Sequence, residues 1–150
     1  MLTIGRILFA VLFIVSGGLK LFNIPETVKM VASKVLPVPA FAADYVKQLE
    51  EAVGGIEFST MLAVAAGSIE LVCGLLIALN FGSRFFAIIL ALFVVVATFY
   101  GHPFWSMPAG DAQTNETVHA LKNLSLIGGL LMIAGLPRSS RQSDPSYPDV

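Results

Sequence analysis

Glu70 is the residue in this sequence that most demands a chemical explanation. It stands near the centre of "MLAVAAGSIELVCGLLIALN", residues 61–80, where every other residue but Ser68 and Asn80 is apolar or small. An acid or base at the centre of a membrane-spanning helix costs ~2.5–3.5 kcal/mol on insertion scales, so such groups face a bundle interior and find partners. On a helix, Glu70 shares its face with Ala63, Ala66, Gly67, Cys73, Gly74 and Ile77. Most of these are small, and small residues let a second helix approach closely.

Partners come from two other apolar runs. The first carries Arg6, Phe13, Gly17 and Lys20 near one face, with the two charges at its opposite ends. The last carries Lys122, with Ser125 and Gly129 continuing its face and Asn123 beside it. Lys20 and Lys122 fall near one membrane boundary, with Glu70 deeper by ~10–15 Å at 1.5 Å per residue. The expected picture is a water-filled, mildly cationic funnel leading down to one carboxyl that can relay protons. His102 and Trp105, in "HPFW", belong at its mouth, where a histidine can exchange protons with an incoming head group near neutral pH. The candidate pocket is thus Arg6, Lys20, Glu70, His102, Trp105, Lys122 and Asn123, with Glu70 and His102 as the proton relay. Plainer roles stand beside these. Arg6, Lys20 and Lys122 can snorkel to head groups, Glu70 can pin helices through a hydrogen bond or ion pair, and Phe99 and Tyr100 suit an interfacial aromatic belt.

Other chemistries find no motif. His102, His119 and Glu70 have no metal-ligand spacing, so no metal site is expected. Cys73 is the single cysteine, which excludes an internal disulfide or CxxC pair. There is no CxxCH, Walker loop, G-x-G-x-x-G after a strand, or G-x-S-x-G elbow.

The elements that position these residues follow from composition. Of 150 residues, 56% are hydrophobic and 13% charged, with a mean hydropathy of +0.82; an ordinary soluble domain carries about 25% charge. Net charge is −1 and the basic residues are scattered, so nucleic acid is not an expected partner. Four stretches suit membrane-spanning helices: residues 4–22, 60–81, 85–102 and 118–136. The expected fold is all-α, an integral membrane four-helix bundle forming one domain over residues 1–136. Residues 80–84 are too few for more than a tight turn, so the second and third spans are antiparallel neighbours. Residues 23–59 form an amphipathic interfacial loop of two short helices (Val28, Val31, Val35; then Phe41, Tyr45, Leu49, Val53) split by Pro37 and Pro39. Residues 137–150, rich in Ser, Pro and Asp, read as a disordered tail.

Orientation follows from the arginines. Arg6, Arg84, Arg138 and Arg141 all fall on one side of a four-span chain, and the positive-inside tendency makes both termini cytoplasmic. Residues 102–117 contain no Lys or Arg, which suits the outer side. "RILFAVLFIVSGG" has the look of a signal-peptide core, but no A-x-A-like site follows, so a retained first span is expected.

Three segments together resemble the DoxX family of small bacterial inner-membrane proteins: "GRILFAVLFIVSGGLKLF", "GSIELVCGLLIALNFGSRFFA" and "GHPFW" continued by "LKNLSLIGGLLMIAG". The order, spacing and polar residues carry the resemblance, which covers residues 4–136; Ser83 stands where the family often has Thr. Carried over, the family's polar positions are Arg6, Lys20, Glu70, His102, Trp105, Lys122 and Asn123. The resemblance implies a multi-pass protein of the bacterial inner membrane in contact with the lipid bilayer. It also implies association with quinone-linked oxidation or with complexes handling redox stress. The first expectation is therefore an accessory or quinone-interacting subunit of a membrane oxidoreductase, with no intrinsic cofactor, quinone as the ligand and electrons supplied by a partner protein. The alternatives are a small proton-coupled carrier or exporter of a hydrophobic solute, which four spans support better as a homo-oligomer, and a non-catalytic scaffold.

Overall fold

The computed structural model describes residues 1–35 and 37–136; the expected tail at 137–150 lies outside the described residues. The chain forms α1 (Leu2–Phe22), α2 (Ile24–Val35), α3 (Ala40–Ala52), α4 (Phe58–Ala78), α5 (Ser83–Gly101), a single 3-10 turn (Phe104–Ser106) and α6 (Asp111–Gly135). No strand occurs among the described residues. α1, α4, α5 and α6 are each long and apolar enough to cross a membrane.

Small residues set the closest approach, between α1 and α4. A methyl group on Gly67 would stand 2.9 Å from the Leu21 side chain, and one on Gly74 would stand 3.2 Å from the Ile14 backbone nitrogen. Helices without a hydrophobic drive toward one another in lipid associate through such close packing. α4 turns back into α5 through Asn80 (φ 59°) and Gly82 (φ 56°), both in the left-handed region, and α5 then packs on both α4 and α6. The Arg84 Nε donates to the Ala134 carbonyl at 2.7 Å, tying the start of α5 to the end of α6. The start of α1, the Asn80–Gly82 turn and the end of α6 therefore share one end of the bundle, the turn end. α2, α3 and the 3-10 turn lie at the other, the loop end.

The first connection holds two short helices. Val28, Val31 and Val35 of α2 are half-buried and α2 packs against α4. Thr27 Oγ1 donates to the Lys20 and Asn23 carbonyls, both at 3.0 Å, which fixes α2 to the last turn of α1. α3 buries none of its residues, and Phe41, Tyr45 and Leu49 form an exposed apolar stripe opposite its charges. Its Glu50 carboxylate accepts the Phe58 backbone N–H at 2.7 Å, satisfying one of the free donors at the start of α4.

The core is not centred. Ala10, Phe13, Cys73, Ile77, Leu90, Val94, Leu130 and Ile133 belong to one buried cluster spread over all four long helices, most of it in the turn-end half. Ile77, Leu90 and Leu130 are wholly buried. The loop-end half of the bundle is where the polar residues gather.

Candidate functional site

Glu70 reaches the interior because Gly67 and Gly74, one turn away on either side, bring α1 over it. It is buried on the face with Ala63, Gly67, Cys73, Gly74 and Ile77, as the small-residue pattern implies. Its partner is Lys20: the Nζ lies 2.5 Å from Glu70 Oε2 and donates also to Ser16 Oγ at 2.8 Å. Ser16 and Lys20 are four residues apart on α1, one turn, so a single helix face supplies both contacts. The acid in the apolar run is thus an ion pair with a third group in attendance.

Glu70 also lines a cavity of about 360 Å³, whose α1 wall, Leu12, Phe13 and Ser16, lies on the turn-end side of Lys20. Its polar lining is Ser16, Glu70, His119, Lys122 and Asn123. Phe13, Val94 and Leu126 close it toward the core. Asn123 Nδ2 donates to Thr98 Oγ1 at 2.9 Å, and Thr98 in turn donates to the Val94 carbonyl, so α5 and α6 are cross-linked beside the cavity. Lys122 has no hydrogen-bond or ion-pair partner among the described residues. With Glu70 already matched by Lys20, and no other carboxylate on the lining, Lys122 gives the cavity an excess positive charge.

The loop end covers the site with a second polar group. His102 Nδ1 and Glu116 Oε2 are 2.5 Å apart, and the His102 ring stacks on His119, centroids 5.2 Å apart and 10° from parallel. Glu116 precedes the apolar part of α6, which begins at Val118. The hydrogen bond from His102 holds its carboxyl below the usual carboxylate range. Lys34 Nζ donates to the Gly101 carbonyl at 2.9 Å, joining α2 to the end of α5 at the same place. Because His119 lines the cavity and stacks on His102, the two histidines bridge the loop and the cavity.

The residues singled out in the sequence divide accordingly. Glu70, Lys122 and Asn123 line the cavity, Lys20 joins them through its bond to Glu70, and His102 stands one ring away behind His119. Trp105 is half exposed and packs on Phe99 and Phe104, at the rim of the loop. Arg6 lies near the turn end of α1, ~21 Å along the helix from Lys20 at 1.5 Å per residue. Its Nε is buried without a partner among the described residues. α6 is rotated from the face expected through Lys122 and Ser125: its interior side runs through Asn123, Leu126, Leu130 and Ile133, and Ser125 is exposed. Ser16, Thr98, Glu116 and His119 complete the site beyond the expected set. Their signal in the sequence was spacing, Ser16 to Lys20 at four residues and Glu116, His119 and Lys122 at three. Among the described residues no three His, Cys, Asp or Glu side chains gather as a metal site.

Comparison with known proteins bears on the whole arrangement. The DoxX family model matches residues 1–103, which span α1 to the end of α5 and the start of the loop. Inner membrane protein YphA of Escherichia coli (strain K12) is 28% identical over 134 residues, covering 89% of this chain and 81% of that protein. No solved structure matches the chain.

Proposed function

The chain belongs to the DoxX family, and on that footing we propose that it is a four-span inner-membrane protein whose loop-end cavity binds the head group of a quinone as part of a membrane redox complex. The observation that carries this is Glu70, held by Lys20, on the wall of a cavity that also presents His119, Lys122 and Asn123 and is closed toward the core by Phe13, Val94 and Leu126. A quinone head group needs hydrogen-bond donors at its carbonyl oxygens, and Lys122 and Asn123 are donors. Its reduction takes up two electrons and two protons. The protons have a route through the His102–His119 stack and the Lys20–Glu70 pair, and the electrons come from a partner protein. A volume of about 360 Å³ is at the small end for ligand pockets, ~300–1,000 Å³, and suits a head group without its tail.

The wholly buried Ile77, Leu90 and Leu130 fill the bundle beneath the cavity. A site closed at one end favours a binding protein over a carrier that opens to both sides. The exposed stripe of Phe41, Tyr45 and Leu49 suits α3 to lie on the membrane surface. The arginine distribution supports a cytoplasmic position for both termini.

Native mass spectrometry of protein extracted gently from its own membrane tests the assignment. The expected spectrum shows quinone bound below or up to one per chain, with Glu70→Gln lowering the occupancy. Protein that neither retains quinone nor binds it when supplied overturns it.

A further inference from the structure

Packing closes three of the four sides of the cavity. α1 lies against α4, α4 against α5 and α5 against α6. The fourth side, between α1 and α6, has no such extended packing. The two helices meet near the turn end, where a methyl group on Gly129 would stand 2.6 Å from the Phe9 ring. Closer to the loop end, Leu12 of α1 and Lys122 of α6 both line the cavity and are both exposed. The cavity therefore opens through the α1–α6 seam, between these two residues.

The depth of the opening decides what it faces. Leu12 is midway along the 21 residues of α1, and its neighbours Leu8, Val11 and Val15 are exposed and apolar. An opening at the level of Leu12 faces the hydrocarbon of a bilayer and not water. The charge balance decides what is held inside. Lys20 and Glu70 neutralise each other, which leaves Lys122 as the unmatched charge in a site where low dielectric strengthens electrostatic attraction.

We propose that the cavity takes a membrane-dissolved amphiphile with an anionic or ionisable oxygen head group, which enters sideways between α1 and α6. The head group sits on Lys122 and its apolar tail leaves past Leu12 into the bilayer. This rests on the cavity being the ligand site, and it narrows the ligand to tail-bearing molecules whose bound head group carries negative charge, a quinol anion or a carboxylate alike.

The test uses the full chain in phosphatidylcholine nanodiscs with a spin-labelled C16 fatty acid as probe. Saturable binding near one per chain is expected, weakened about ten-fold or more in Lys122→Gln, as for loss of a charge-assisted hydrogen bond, and restored in Lys122→Arg. The methyl ester of the probe is expected to bind about ten-fold more weakly, and benzoate, which has no tail, not to compete. Ser16→Trp and Ala97→Phe, which fill the cavity from α1 and α5, are expected to abolish binding while helical content stays that of the wild type. Binding unchanged in Lys122→Gln and in both filled variants would overturn the proposal, because the probe then sits only at the outer belt. Equal competition by benzoate overturns sideways entry. A tail-bearing quinone run alongside separates the two levels. If it binds and is lost in the filled variants while the fatty acid does not bind, the negative head group is wrong and the quinone site stands; if neither binds, both fail.

Discussion

Gly17 of α1 faces Glu70 of α4 so closely that a methyl group on Gly17 would stand 3.0 Å from Glu70 Cβ, 2.6 Å from the Gly67 carbonyl oxygen and 2.5 Å from the Leu71 backbone nitrogen. Two of these atoms belong to backbone, which cannot rotate aside. Gly17→Ala is therefore expected to push α1 off α4 and to lower stability by about 1–3 kcal/mol, the usual cost of overpacking. Gly18, one residue on, has nothing within 4 Å of an added Cβ, so Gly18→Ala is the control. Thermal unfolding in mild detergent should show a lowered midpoint for Gly17→Ala alone; equal midpoints for the two variants would mean that the α1–α4 approach is not held by this contact.

The Lys20–Glu70 pair should behave as a unit. Glu70 is nearly buried and Lys20 partly so, with side-chain exposures of 10% and 21%. Removing one partner of a buried pair strands the other, at a cost of about 3–5 kcal/mol, whereas replacing both with apolar groups is near neutral or stabilising. Lys20→Met is expected to destabilise by about 2–3 kcal/mol, below that range because Lys20 keeps some exposure. The double variant Lys20→Met with Glu70→Leu should recover most of the loss. A double-mutant cycle in detergent checks this, and additive losses would show that the two side chains are not coupled.

Much of this half of the site was legible in the sequence, for a physical reason. α4 is apolar on every side, yet its small residues, Ala63, Gly67, Cys73 and Gly74, fall on the one face that also carries Glu70, so the direction of the acid could be read. The spacing of Phe13, Gly17 and Lys20 likewise marked the inner face of α1. What spacing left open was which lysine, Lys20 or Lys122, pairs with Glu70; the close approach of α1 to α4 decides for Lys20. α6 was harder to read. Leu121, Leu124, Leu131 and Met132 are exposed, so apolar residues surround this helix and its rotation leaves little trace in the pattern. His119 and Glu116 were missed for that reason, since their roles depend on which way α6 faces.

The His102–Glu116 contact gives the loop a pH dependence with a definite sign. The hydrogen bond from His102 depresses the Glu116 carboxyl, so its contribution is complete above the ordinary carboxylate range and is lost as pH falls through the lowered value. Trp105 is the single tryptophan of the chain and packs on Phe99 and Phe104 in this loop, so its emission reports the loop directly. Glu116→Gln is expected to shift that emission at neutral pH to the value the wild type reaches only in acid. An acid transition that persists unchanged in Glu116→Gln would assign it to another group.

The shared end of the bundle makes the orientation testable with two fusions. Arg84 bonded to the Ala134 carbonyl places the α4–α5 turn beside the end of α6, and Arg6 lies near the same end of the antiparallel α1. The loop end instead mixes Lys29, Lys34 and Lys47 with Glu26, Asp44, Glu50, Glu51 and Glu57, and Lys29 is itself paired with Glu26 at 3.0 Å. Unmatched positive charge is thus concentrated at the turn end, which the positive-inside tendency assigns to the cytoplasm. Alkaline phosphatase fused after Leu136 should be inactive and green fluorescent protein there fluorescent, while alkaline phosphatase fused after Pro108 should be active. The reverse pattern would put the His102–Glu116 cover and the cavity in the cytoplasmic half of the membrane, so that protons reaching Glu70 through His119 would be drawn from the cytoplasm.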